Sequence, residues 1–284
     1  MPTLPYHVLD VFTDRPYAGN PLAVVLGADD LPTEALQAMA REFNLSETAF
    51  PMATTADADY RVRIFTPNGE LPFAGHPSIG TAWLLARLGR IPTGPVRQDC
   101  GAGILTLQVS AEGATLTGGP ATVSGPSDAG PLLGAVGLEA GDLTAVPPRT
   151  AGAGLDWTYL PVADEAVARA VPDWPALRRA TPSQGIAVLS WDAGTRRAHL
   201  RGLTENFEDP ATGSAALGFG VFLAASGLVP DGGTDYAIDQ GREIGRPSLL
   251  SGRVTVAGGE VREVTVTGGV VPVATGEVTP PTWA

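Results

Sequence analysis

Residues 61–89 read RVRIFTPNGELPFAGHPSIGTAWLLARLG, and residues 199–227 read HLRGLTENFEDPATGSAALGFGVFLAASG. The two align without a gap at an offset of 138, with ten of 29 positions identical. Chance explains some of the Gly and Ala matches. It does not explain Arg63/Arg201, Asn68/Asn206, Glu70/Glu208 and Pro72/Pro210. The offset is close to half of the 284-residue chain, so the sequence reads as an internal duplication of two similar domains.

Both copies carry the same local pattern. A β-compatible run, YRVRIFT or RRAHLRGLT, leads into a polar turn that contains proline. The run that follows, PSIGTAWLLARLG or SAALGFGVFLAASG, is apolar nearly all round, which predicts a helix buried on every side. Gly89 and Gly227 end these runs, where a helix C-cap favours glycine. The remainder is turn-rich and strand-like, as in PLAVVLG, GILTLQVS, ATLTGGP, GIAVLSW and GRVTVAG. A second helix is expected at LPTEALQAMAREF, with a weaker echo at VPDWPALRRA. Residues 119–150, rich in Gly, Pro and Ala, read as a linker. The expected fold class is α+β. The first domain covers 1–118 and takes back a C-terminal strand from about 275–284; the second covers 119–284.

With 44% hydrophobic residues the chain has the material for a packed core. A formal net charge of −12 opposes binding to nucleic acid or to an anionic membrane, since both need basic surface. Residues 210–230, PATGSAALGFGVFLAASGLVP, are uncharged over membrane-spanning length, but their Gly and Ala content and flanking prolines favour a buried central helix. The start, MPTLPYHVLDVF, lacks the basic and apolar regions of a signal peptide, so a cytoplasmic location is expected. The single cysteine, Cys100, permits no internal disulfide. All 18 Lys+Arg residues are arginine. The lack of lysine excludes Schiff-base chemistry at a side-chain amine and a P-loop lysine.

At each helix start the chain reads small–Gly–polar: Ala74-Gly75-His76 and Thr212-Gly213-Ser214. A helix N-terminus presents unpaired N–H groups and positive dipole, and glycine lets a ligand approach the backbone. Each half therefore offers an anion site, and a small carboxylate-bearing molecule is the expected ligand if the halves share one cleft. Gly75 and Gly213 also fit plain helix caps, and His76 and Asp209 also fit hydrogen-bonded turn or cap residues. Glu47, in NLSETAF, starts a strand-like run; burial there would raise its pKa into the range of a usable acid and base, though a surface or capping role fits it as well. At the same offset the second half has Gly185, so the acid is one-sided. Three His and one Cys show no metal-ligand spacing. GHPSIG is not the G-x-S-x-G elbow of hydrolases.

DVFTDRPYAGNPLAVVL, NLSETAF, RIFTPNGELPFAGHPSIGTA, ENFEDPATGSA and QGREIGRPS together resemble, in order and spacing over residues 10–248, the phenazine-biosynthesis PhzF-like family. The resemblance implies a diaminopimelate epimerase-like fold: two pseudo-symmetric domains, each a mixed barrel-like sheet around a central helix, with the active site between them. It implies a homodimer and isomerisation without cofactor or metal. The family's glutamate moves a proton between carbons of a cyclic dihydro-hydroxyanthranilate, and the matching residue is Glu47. His76 and Asp209 match further polar residues of that site; Asn20, Ser46, Gly75, Gly213 and Ser214 match its substrate contacts. Epimerases of this fold use two facing cysteines, whereas Cys100 stands alone and outside both helix starts. Arg63, Glu70, Arg201 and Glu208 recur in both halves and are assigned a structural role. QGREIGRPS receives no role beyond a Gly-Pro turn near the site or an interface.

The reading is thus an isomerase with Glu47 as acid and base. Its rivals are a binding protein that has kept the cleft and lost turnover, a hydrolase or lyase using Ser46, Ser78 or Ser214, and a two-base epimerase or racemase.

Overall fold

The two copies fold into two units, residues 1–116 with 267–284 and residues 117–266. The computed structural model describes residues 3–181 and 183–282. The first unit contains β1 (Leu4–Val11), β2 (Asn20–Val25), α1 (Thr33–Phe43), β3 (Glu47–Met52), β4 (Tyr60–Phe65), β5 (Glu70–Leu71), α2 (Gly75–Arg87), β6 (Gly94–Cys100), β7 (Gly103–Val109) and β8 (Gly113–Thr117). The second contains β9 (Thr122–Pro126), α3 (Ala129–Ala135), a 3-10 turn (Ala140–Asp142), β10 (Arg149–Gly152), β11 (Asp156–Pro161), α4 (Asp164–Arg169), α5 (Trp174–Ala180), β12 (Ile186–Asp192), β13 (Arg197–Leu203), β14 (Glu208–Asp209), α6 (Gly213–Ala225), β15 (Gly232–Gln240) and β16 (Ser248–Ala257). Strand β17 (Glu260–Val278) begins in the second unit and continues into the first. The returning segment therefore starts at residue 267, earlier than the expected 275, because β17 is one unbroken strand.

In the first unit β1–β2, β3–β4, β6–β7 and β7–β8 pair antiparallel, while β2–β3 and β4–β6 pair parallel. β17 pairs with both β1 and β8, which closes the sheet into a barrel. The second unit repeats the signs: β10–β11, β12–β13 and β15–β16 are antiparallel, β11–β12 and β13–β15 parallel. β9 adds antiparallel to β10.

The apolar helices occupy the barrel centres. Every residue of α2 from Gly75 to Leu85 is buried, as is most of α6. Pro77 is tolerated in α2 because the first turn has no intrahelical use for its missing N–H. Both helices end in the same cap: Gly89 (φ 69°) and Gly227 (φ 67°) donate to Ala86 and Ala224, and the next residues, Arg90 and Leu228, donate to Leu85 and Leu223. That is the Schellman pattern, which requires a left-handed residue. Glycines inside α6 make room for phenols from the barrel wall. A Cβ on Gly218 would stand 2.4 Å from the Tyr159 hydroxyl and one on Gly220 2.8 Å from that of Tyr236. Those hydroxyls donate to the Ala215 and Ala216 carbonyls.

A second helical layer covers one outer face of each barrel. Leu36, Met39 and Ala40 of α1 pack on Val25, Phe50 and Phe65. Strand β2 is consequently covered on both faces and reads as a nearly continuous apolar run. In the second unit the layer is α3, α4 and α5, packed on Leu160, Val162, Ile186, Val188 and Leu203. Residues 119–150 are thus not a linker: they supply β9, α3 and the start of β10. Leu132, Leu133, Val136 and Leu138, scattered among Gly and Ala, are all buried there, and their burial outweighs a loop-like composition.

The duplicated charges have the structural role expected. Arg63 meets Glu70 through two hydrogen bonds (2.8 and 2.7 Å) across the β4–β5 hairpin and also donates to Thr33 at the start of α1. Arg201 meets Glu208 the same way (3.0 and 2.7 Å) and donates to the Val167 and Ala170 carbonyls at the end of α4. The hairpin turns are copies too, each closed by a threonine hydroxyl, Thr66 on the Gly69 carbonyl and Thr204 on that of Phe207.

Candidate functional site

In the first unit the site residues converge on the N-terminus of α2. Glu47 opens β3, paired alongside Leu22 of β2. His76 is the second residue of α2. Their side chains meet with His76 Nε2 3.4 Å from Glu47 Oε2, and only 5% and 15% of the two are exposed. Burial pushes the imidazole pKa down to about 3, against the opposing pull of a hydrogen bond to the Pro21 carbonyl. The ring is therefore neutral near pH 7. Nε2 has no hydrogen-bond partner among the described residues, so the Pro21 bond is made by Nδ1–H. The Nε2 lone pair then faces Glu47.

Asn20, the first residue of β2, is fully buried, and its Oδ1 accepts from the Ser46 hydroxyl at 2.9 Å. Gly75 is the first residue of α2 and is buried. The N-cap before it is Ala74, which has no side-chain oxygen with which to cap the helix. Behind this mouth runs a buried chain of donors. The Tyr60 hydroxyl donates to Gln98 Oε1 (2.7 Å), Gln98 Nε2 to Ser78 Oγ (2.8 Å), and Ser78 Oγ to the Ala74 carbonyl (2.9 Å). Burial holds the Tyr60 pKa well above its ordinary value, so it remains a donor. Ser78 is thereby occupied as a structural link, which removes it as a nucleophile.

The second unit builds a comparable mouth on α6. Thr212 is the N-cap, Gly213 the first helical residue and Ser214 the second. The Thr212 hydroxyl is turned away from the helix and donates to Asp209 Oδ2 at 2.7 Å. Gln240, at the end of β15, accepts from the Thr212 N–H (3.1 Å) and donates to the Thr212 hydroxyl (2.9 Å) and the Asp209 carbonyl (2.7 Å). Ser214 Oγ accepts from the Trp157 indole N–H at 3.0 Å.

QGREIGRPS, without a role from the sequence, is the loop that follows Gln240. Gly241 takes φ 76°, and a Cβ on it would stand 2.3 Å from the Arg246 carbonyl and 2.6 Å from that of Pro210. The Arg246 N–H closes the turn onto the Gly241 carbonyl. Glu243 Oε1 lies 2.8 Å from His199 Nε2 and ties the loop to β13. The loop is therefore packed against the turn that carries Asp209.

The two mouths are unequal. The register Thr48↔Phe65 in one unit and Ile186↔Leu203 in the other makes Gly185 the counterpart of Glu47. A Cβ on Gly185 would collide with the Leu203 carbonyl at 2.1 Å and meet the Trp157 ring at 2.9 Å. His76 and Ser214 are likewise counterparts, both second in their helices. An acid–imidazole pair in one unit stands where the other has a serine and an indole.

The structure thus joins Glu47 to His76, Asn20 to Ser46, and Asp209 to the Thr212-Gly213-Ser214 mouth. Sequence reasoning gave no role to Tyr60, Gln98 and Trp157, named Thr212 only as the residue before Gly213, and met Gln240 only as the first residue of QGREIGRPS. Gln98 and Gln240 did leave a signal. Each falls on the buried phase of an alternating strand, Val96-Gln98-Cys100 and Tyr236-Ile238-Gln240. A polar side chain in that phase needs a partner. Among the described residues no group of three or more His, Cys, Asp or Glu is placed to hold a metal ion. No helix among them is long and apolar enough to cross a membrane.

A profile of the family described as "Phenazine biosynthesis-like protein" matches residues 9–276. An uncharacterized isomerase of Mesorhizobium japonicum is 36% identical, over 98% of this chain and 99% of its own. The trans-2,3-dihydro-3-hydroxyanthranilate isomerase of Pseudomonas aeruginosa is 35% identical, over 93% of this chain and 95% of its own. The crystal structure of a Bacillus anthracis phenazine biosynthesis protein of the PhzF family superposes with a TM-score of 0.89, at 26% identity, covering 98% of this chain and all of the other.

Proposed function

Because the chain belongs to the phenazine biosynthesis-like PhzF family and is an isomerase, we propose that it moves a proton between two carbons of a small carboxylate-bearing substrate, with Glu47 as acid and base. The observation that carries this reading is the buried contact of 3.4 Å between Glu47 Oε2 and the neutral His76 Nε2. A bare imidazole nitrogen accepts a proton-bearing oxygen and does not pair with a carboxylate as a cation would. In its acid form Glu47 gives its proton to one carbon of the substrate, with the neutral His76 beside it. In its base form it takes a proton from carbon. One C–H bond forms, another breaks and the double bond moves between them, so the substrate's composition is unchanged. A single carboxyl does both steps in turn, and its proton exchanges with solvent between turnovers.

We assign the substrate carboxylate to a helix mouth of this kind: in the first unit Gly75 opens α2, with Asn20 and Ser46 as polar groups of the same unit, and in the second Gly213 opens α6, with Ser214 and Asp209. The 35% identical relative supports a cyclic dihydro-hydroxyanthranilate-like substrate.

The test uses trans-2,3-dihydro-3-hydroxyanthranilate in deuterium oxide, followed by NMR. The wild type is expected to isomerise it and to place deuterium on carbon. Glu47→Gln is expected to bind it and to lose turnover by at least about a hundredfold. Isomerisation by Glu47→Gln at the wild-type rate overturns the role of Glu47. Binding to the wild type with no deuterium on carbon favours a pure binding protein.

A further inference from the structure

The contacts of Gln240 leave one hydrogen-bond direction at Asp209. The Thr212 N–H is only a donor, so the Gln240 oxygen must face it, at 3.1 Å. The Asp209 carbonyl is only an acceptor, so Nε2 must face it, at 2.7 Å. These two contacts determine the orientation of the amide independently of each other. The remaining Nε2 hydrogen points at the Thr212 oxygen, 2.9 Å away. A hydroxyl that accepts there has its own hydrogen to give, and it gives it to Asp209 Oδ2 at 2.7 Å. Thr212 and Gln240 are both buried, so water does not compete for these positions. The packing is also built for them: Gly202, paired with Asp209 across the β13–β14 hairpin, would drive a Cβ to within 2.5 Å of the Thr212 hydroxyl and 2.9 Å of Gln240 Nε2.

We propose that Thr212 and Gln240 are positioning residues for Asp209, forming a one-way donor chain that reserves Oδ2 as an acceptor and favours the ionised carboxyl. The first unit has a chain of the same direction, Tyr60 to Gln98 to Ser78, but it ends on the carbonyl of Ala74 and not on a carboxyl. Thr212 stands at the position of Ala74, 138 residues on, so the acidic terminus belongs to the second unit's chain. The other charged groups on elements packed against this turn are Glu208, held by Arg201, and Arg242, Glu243 and Arg246 of the following loop. Of these, Arg242 pairs with Asp239 and Glu243 with His199.

The claim that this serves turnover rests on the proposed function, so the test reads the carboxyl and the reaction separately. The Asp209 carboxyl carbon is titrated by NMR in protein labelled at aspartate, with Asp209→Asn for assignment. Thr212→Val removes the donor and is expected to raise the Asp209 midpoint by roughly half to one pH unit. Thr212→Ser restores the hydroxyl and the wild-type midpoint. Gln240→Met frees the hydroxyl to turn and gives a smaller rise. A wild-type midpoint in folded Thr212→Val overturns the chain; if that variant does not fold, a wild-type midpoint in Gln240→Met does so. A midpoint that moves together with the pH profile of kcat/KM supports both the chain and the role of Asp209. A midpoint that moves while the pH profile stays put supports the chain and removes Asp209 from the reaction.

Discussion

His76 and Ser214 hold one position in two copies of one helix, each the second residue of a buried central helix and 138 residues apart. Beside His76 stands Glu47; at the matching place beside Ser214 the chain has Gly185, and Trp157 fills the space. Duplication supplied two helix mouths, and the acid–imidazole pair is present in one of them. The side chains at the two mouths differ although the central helices and their glycine caps repeat.

The buried imidazole makes stability depend on pH. Its pKa is about 3 in the folded protein and 6.5 in the unfolded chain. Between those values the unfolded chain binds the extra proton, so its contribution is fully present above pH 6.5 and is lost as pH falls. Relative to His76→Gln, the wild type is expected to lose about 1.4 kcal/mol per pH unit through this window. Urea unfolding at a series of pH values measures it. Parallel curves for the two proteins would show that His76 does not carry the effect.

The duplicated ion pairs should differ in worth because their burial differs. Arg201 and Glu208 are each 7% exposed, whereas Glu70 is 38% exposed. Glu208→Gln strands a buried guanidinium and is expected to cost about 3–5 kcal/mol. Glu70→Gln is expected to cost less than about 1 kcal/mol, since water screens that pair. Denaturant midpoints of the two variants decide it, and equal losses would contradict the burial argument.

Gly185 should resist even the smallest side chain. Its would-be Cβ meets the Leu203 carbonyl at 2.1 Å, and a backbone atom cannot swing aside as a side-chain tip does. Gly185→Ala is expected to destabilise the protein by about 2 kcal/mol or more. A melting temperature like that of the wild type would show that this strand shifts freely and that an acid is not sterically excluded there.

Much of this was legible locally. The apolar runs at 77–89 and 214–227 predict α2 and α6, and Gly89 and Gly227 mark their caps, because periodicity and capping depend on neighbours within a turn or two. The linker reading of 119–150 failed for a related reason. Gly and Pro dominate its composition, while its fate depends on a few leucines meeting β11 and β12 from outside the window. Glu47 and His76 were each visible in the sequence, but their contact was not, because 29 residues separate them.

The sequence by itself determined that the chain is doubled, that each half centres on a buried helix with a glycine at its mouth, and that only one half carries the acid. Those are properties of order and residue type. Tertiary structure alone decided that β17 closes the first barrel by pairing with β1 and β8, that burial keeps His76 neutral while the Pro21 carbonyl turns its Nε2 toward Glu47, and that Gln240 orients the Thr212 hydroxyl toward Asp209. Hydrogen bonds in a dry interior are directional, and their partners arrive from strands distant in sequence. Where a buried proton sits is therefore decided only when the barrel brings those strands together.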